Sequence, residues 1–197
     1  MNLKKNFINN FILLGCRHVY TLLKLHILKG NIMKVKIRNA NEMDLENIAN
    51  IYVSSWKKAF SKFLLKNTIN KLNVLEKQQF LKDILLEKGN ILIAENNKNK
   101  EICSYIVYEN ISKNSIEIIS FYISPLYVKE NVANQLLNNL KLYCKDNYIS
   151  NIVLWTFRNN KDSINFYKSL GFYETGFERQ SNIEIGQIEV QYILKNI

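Results

Sequence analysis

Proline occurs once in the 197 residues, at Pro125, and glycine six times. No stretch therefore has the composition that links separately folded modules, and one core is the economical reading. Histidine is almost missing: His18 and His26 lie near the N-terminus, and residues 33–197 contain none. That absence excludes a Ser-His-Asp or Cys-His hydrolase and a histidine-ligated zinc site from this region. Cys16, Cys103 and Cys144 form neither a CxxC pair nor an even disulfide framework, so no metal is expected and a reduced, cytoplasmic setting is the default. Acids are missing from the first 38 residues, which hold eight basic residues, so eight of the ten net positive charges sit there. The remainder is nearly balanced, and no specific nucleic-acid face is expected on it.

A long clean hydrophobic run is also lacking. Phe7 to Leu28 is apolar in character but broken by Asn9, Asn10, Arg17, His18, Lys24 and His26, so no transmembrane segment is expected. Lys24 to Lys29 offers no small-residue cleavage site for a signal peptide. Three readings stay open for residues 1–32: an upstream extension of the reading frame with the start at Met33, an amphipathic surface helix, or an organellar leader. The first is favoured because Met33 immediately precedes a strand-like Lys-Val-Lys-Ile-Arg. The chain thus divides into a basic, partly apolar extension, 1–32, and a domain, 33–197.

Apolar residues make up 47% of the chain, enough for a substantial core. Val35 to Arg38 alternates as a half-buried strand does. Leu45, Ile48, Ala49, Tyr52 and Trp56 recur at helical spacing behind a cap at Asn41 or Asp44. A second helix is expected over Leu72 to Glu87 with Leu75, Phe80, Ile84 and Leu85 on its face, after an irregular connection containing Phe60 to Ile69. Gly89 ends it. Strands follow at Ile91 to Glu95, Glu101 to Tyr108 and Ile116 to Ile123, with turns at Asn96 to Lys100 and Glu109 to Ser115. Val132, Leu136, Leu137, Leu140 and Tyr143 mark a third amphipathic helix, and Ile152 to Thr156 a parallel return strand. A short helix at Ser163 to Leu170 and strands at Phe172 to Phe177 and Gln187 to Leu194 complete an α/β (α+β) pattern with helices on both faces of a mixed sheet.

Leu154-Trp155-Thr156, then Asn160, then Phe166-Tyr167-Lys168-Ser169-Leu170-Gly171-Phe172 resembles the strand-to-helix signature of the GNAT N-acetyltransferases. Glu117 to Pro125 is similar to the family's central strand, and Ile37-Arg38 with Ser55-Trp56-Lys57-Lys58-Ala59-Phe60 to its substrate-side helices. The family's pyrophosphate pattern, Gln/Arg-x-x-Gly-x-Gly/Ala, falls on Val128-Lys129-Glu130-Asn131-Val132-Ala133, where only the final small residue agrees. Asn131 is the most tolerable glycine substitute because asparagine visits the left-handed region.

The resemblance implies a mostly antiparallel sheet of about seven strands with a splayed parallel pair, acetyl-CoA as co-substrate and an amine as acceptor. It implies that main-chain groups near Tyr122 and Ile123, the 128–133 loop, Asn160 and Tyr167 hold the cofactor, and that Tyr167 lies near the thioester sulfur. Asn160 could equally be only a helix cap. Glu117 is the candidate base, against the alternative of an exposed or hydrogen-bonded carboxylate; strand alternation puts it on the face of Ile119, Phe121 and Ile123. Tyr52, Ser55, Trp56 and Phe60 would wall the acceptor side, or serve as core. A catalytically silent ligand- or partner-binding version of the fold is the chief rival, and a basic nucleic-acid or membrane binder resting on residues 1–38 is the third. A homodimer stays open.

Overall fold

The computed structural model describes residues 33–61, 64–87, 89–128 and 131–195. The readings offered for residues 1–32 lie outside them. Among the described residues, seven strands form one sheet in the order β1-β2-β3-β4-β5-β7-β6. They are β1 (Val35–Asn39), β2 (Asn90–Asn96), β3 (Ile102–Ser112), β4 (Ser115–Ile123), β5 (Asn151–Phe157), β6 (Tyr173–Gln180) and β7 (Ile188–Lys195), and every neighbouring pair is antiparallel except β4 and β5. The helices are α1 (Leu45–Phe60), α2 (Lys66–Asn70), α3 (Val74–Leu86), α4 (Val132–Asp146) and α5 (Lys161–Ser169).

Both faces of the sheet are covered, as alternation along β3 shows. Tyr105 and Val107 pack with Ile48, Ile51 and Leu81 of α1 and α3, whereas Tyr108 meets Tyr143 of α4 with ring centres 5.6 Å apart. One step along a strand reverses the face.

The two candidate caps for α1 act as a reciprocal pair. The Met43 N–H donates to Asn41 Oδ1 at 2.9 Å, and the Asn41 N–H donates to Asp44 Oδ2 at 2.8 Å, closing the 3-10 turn that leads into the helix. Arg38 locks this corner to the sheet by donating to both Asp44 oxygens, at 2.7 and 2.9 Å, and to Glu95 at 2.9 Å. Burial pushes the Asp44 carboxyl up, but hydrogen bonds from Arg38 and the Asn41 N–H outweigh it and hold the group below its ordinary value. A depressed native pKa stabilises above the unfolded-state pKa, and that contribution disappears as pH falls through the native one. Asp44→Asn is therefore expected to cost about 1–3 kcal/mol at pH 7. In thermal melts the gap to the parent protein should narrow below about pH 4.

Several sequence-based expectations need correction. The connection from α1 to α3 contains the short helix α2. On α3 the buried face runs through Val74, Leu81, Ile84 and Leu85, while Leu75 and Phe80 are 72% and 43% exposed. The three- and four-residue steps through Leu81 place Lys77 on the inner side, where its Nζ lies 4.1 Å above the Tyr52 and Phe80 rings. Burial pushes the Lys77 ammonium down to about 8. β3 runs to Ser112 rather than stopping at Tyr108, because ladder pairing to Ser115 and Ile116 continues after the side chains have reached solvent. Cys144, not Tyr143, completes the buried stripe of α4. Gly89 closes α3 as expected, its N–H donating to Ile84 O at 2.7 Å.

Candidate active site

The parallel pair β4–β5 is joined only from Ser115↔Asn151 to Ile118↔Leu154. Beyond that point β5 stays paired with β7 as far as Phe157, and β4 stays with β3 as far as Ile123. The two strands therefore part in mid-sheet, each held by its outer neighbour. The cause lies in β4. Val107 pairs with Ser120 but Tyr108 pairs with Ile118, so Ile119 is an inserted residue, and a bulge bends and twists its strand.

This bulge also overturns the expected facing of Glu117. Opposed residues in an antiparallel pair share a face, so Ser120 and Tyr122 lie with Val107 and Tyr105, and Glu117 with Glu109. The inserted Ile119 shifts the alternation by one. Glu117 thus shares the α1 face with Ser120 and Tyr122, not the face of Phe121.

Between the separated strands opens a cleft of about 660 Å³. Ser55, Trp56 and Phe60 line it from α1, Glu117 to Ile123 from β4, Leu154 to Phe157 from β5, and Phe166 and Tyr167 from α5. The aromatic wall is continuous: Trp56 to Phe60 is 4.4 Å and Phe60 to Phe157 is 5.3 Å between ring centres. Ser55 Oγ donates to Ile123 O at 3.0 Å, fastening α1 to the end of β4. Tyr52 stands behind this wall, with its ring centre 5.4 Å from that of Tyr122.

Burial pushes the Glu117 carboxyl up. The Arg179 cation and the Trp155 indole N–H act against that shift, Glu109 and Glu189 with it, and the net direction is upward. Tyr167 is placed by the end of its helix. Gly171, at φ +96°, allows the chain to turn back, so the Phe172 N–H reaches Tyr167 O at 3.1 Å and the Gly171 N–H reaches Lys168 O at 3.0 Å. The Tyr167 ring then sits between Phe166 and Phe172, with centres 5.4 and 6.0 Å away. Burial pushes its hydroxyl up to about 12.

The cofactor-side candidates divide. Tyr122, Ile123 and Val128 line the cleft; Asn160 does not. The Asn160 side chain is spent on the start of α5, its Oδ1 accepting from Ser163 N–H at 3.1 Å and its Nδ2 donating to Ser163 Oγ at 2.6 Å. Asn160→Ala is expected to lower stability by about 1 kcal/mol, read as a drop in the thermal midpoint. Lys129 and Glu130 lie outside the described residues. Asn131 has φ −77°, not the left-handed conformation that motivated it, and makes no side-chain cap on α4. The backbone donors of Val132 and Ala133 at the first turn of α4 are thus left uncapped by Asn131.

Sequence reading missed Trp155 as a site residue, along with Arg179 and Glu189. Trp155 was visible inside the signature. Arg179 and Glu189 meet only through the β6–β7 ladder, for which ten residues of chain give no local sign.

The comparisons with known proteins agree with this fold. No curated protein matches the chain by sequence. Among solved structures it is similar to the PaiA N-acetyltransferase of Thermoplasma acidophilum in complex with coenzyme A, with 21% identity, TM-score 0.67, and coverage of 83% of this chain and 99% of that one. A ribosomal-protein-alanine N-acetyltransferase from Brucella melitensis gives 19%, 0.61, 81% and 99%. The acetyl-CoA complex of yncA from Salmonella typhimurium gives 19%, 0.60, 82% and 94%. At such identities the likeness shows the fold. The model of the acetyltransferase (GNAT) family matches residues 46–172, from the first turn of α1 to the turn after α5, and the chain belongs to that family.

Proposed function

We propose that this protein is an acetyl-CoA-dependent N-acetyltransferase that passes the acetyl group directly to a primary amine in the cleft between β4 and β5. The observation that carries the reading is the parting of those strands after Ile118 and Leu154, with Glu117 on the α1 side and Tyr167 on α5 both lining the opening. Binding of coenzyme A or acetyl-CoA in the related structures supports the choice of co-substrate. The residues present fit it: the parting of β4 and β5 leaves room for the pantetheine arm, and the first turn of α4, which Asn131 does not cap, offers backbone N–H groups and the positive end of a helix dipole to a diphosphate.

When bound, acetyl-CoA supplies a thioester carbonyl carbon that an amine can attack. Glu117 takes the proton that the acceptor's ammonium must lose, directly or through water. The Tyr167 hydroxyl donates a hydrogen bond to the sulfur as the carbon–sulfur bond breaks and the carbon–nitrogen bond forms; the second proton, shed by the acylated nitrogen, passes to the leaving thiolate or to solvent. With its pKa at about 12, the phenol lies above an ordinary thiol at about 8.5. It therefore stabilises the thiolate as a donor rather than surrendering its proton. Main-chain N–H groups of β4, free of β5 beyond Ile118, are the candidate donors to the carbonyl oxygen. Asn160 acts here as the cap that seats α5.

The setting we assign is cytoplasmic and reducing. It rests on the three cysteines being sparse and spaced for neither a metal site nor a disulfide framework; separately, no described helix is long and apolar enough to cross a membrane. An acetyl-CoA-dependent thiol-release assay across amine classes, beside calorimetric titration of acetyl-CoA, tests the function. Binding with turnover supports it; a folded protein giving neither heat nor thiol with any amine overturns it in favour of the silent version of the fold.

A further inference from the structure

Arg179 reaches from β6 into the cleft and is held there in an unusual way. Its Nε donates to Glu189 Oε2 at 2.7 Å, and its guanidinium carbon lies 4.3 Å above the Trp155 ring. The second oxygen of Glu189 accepts instead from Ser181 Oγ at 3.1 Å. A guanidinium that served only to neutralise Glu189 would engage both carboxylate oxygens with its planar fork. Here a serine occupies one of them, and neither terminal nitrogen of Arg179 hydrogen-bonds to a described residue. Four of the five guanidinium N–H donors are left, fixed in plane by the ion pair on one edge and the indole beneath. The side chain is 49% exposed, on the wall of the cleft.

Glu117 lines the same cleft as Trp155 and Arg179, and its charge interacts with that of Arg179. An acid suited to an amine and a cation suited to an anion therefore face one cleft. Beside them Trp56, Phe60, Phe157 and Ile183 offer apolar surface.

Resting on the transferase reading above, we infer that the acceptor is a zwitterion of the amino-acid type, its amine directed to Glu117, its carboxylate to the fork of Arg179 and its apolar side chain to the aromatic wall. Glu189 and Ser181 position the guanidinium without touching the acceptor. A polyamine, which brings a second cation, would meet Arg179 unfavourably.

The test uses the full chain and a panel of apolar L-amino acids, led by L-phenylalanine, each beside its decarboxylated amine and its carboxamide. Thiol release is expected to favour the free acid, and Arg179→Leu should lower the acid-to-amine ratio of kcat/KM by about 30- to 100-fold, the worth of a hydrogen-bonded charge pair. Arg179→Lys keeps the charge but not the fork, and should recover only part of the ratio. Calorimetric binding of N-acetyl-L-phenylalanine and N-acetylphenethylamine in the presence of coenzyme A gives a second readout that needs no turnover. Equal use of acid and amine, a ratio unmoved by Arg179→Leu, or acetyl-CoA binding with no turnover of the panel would overturn the substrate assignment alone. Failure of acetyl-CoA itself to bind would remove the transferase reading, and this inference with it.

Discussion

Replacing Tyr167 with phenylalanine is expected to lower kcat by about 10- to 100-fold, the value of one hydrogen bond to a charged group at about 1.5–3 kcal/mol. Acetyl-CoA affinity should change little. The ring is held by Phe166, Phe172 and the Gly171 turn, all of which survive the loss of one oxygen, and the hydroxyl makes no hydrogen bond to a described residue that its removal would orphan. An interaction made only as the thiolate forms appears in kcat and not in ground-state binding. Single-turnover measurement at saturating acetyl-CoA separates the cases. An unchanged rate, or a loss confined to affinity, would remove Tyr167 from the chemistry.

Glu117→Gln is expected to reduce kcat/KM by about 100-fold near neutral pH, the middle of the range for general-base catalysis. Its pH dependence gives the sharper test. Burial lifts the carboxyl, so the competent carboxylate fills only as pH rises through a pKa above the ordinary range near 4.5. The parent protein should show an acidic limb there, and the variant should lose it. As pH approaches that of a free alkylamine, about 10, the acceptor deprotonates unaided and the deficit should shrink. Stability should move the opposite way. A carboxyl whose native pKa is raised costs stability as pH rises from the unfolded value through the native one, so the neutral amide should leave the thermal midpoint at pH 7 unchanged or higher. A variant that lost activity and midpoint together would instead mark Glu117 as a structural residue.

The family was legible because its signature is local. Trp155, Asn160, Tyr167 and Gly171 sit within one strand, one cap and one short helix, where near-neighbour hydrogen bonds fix geometry. The same holds for the capping pair Asn41 and Asp44, and for the helical stripe from Leu45 to Trp56. The face of α3 was misread because Leu75 and Phe80 satisfy a helical spacing as well as Leu81 does, and only α1 and the sheet packed against it decide which stripe is buried. The backbone conformation of Asn131 was not legible because a pattern of residue types does not carry φ.

By itself the sequence determined the order of elements, the helix caps and the tyrosine-to-glycine spacing, since each depends on hydrogen bonds between residues a few positions apart. Three features were decided only by tertiary structure: the inserted Ile119, the face of Glu117, and the meeting of Arg179 with Glu189 and Trp155. Each depends on which residue of a distant strand stands opposite, and a one-residue change of register reverses every side chain beyond it.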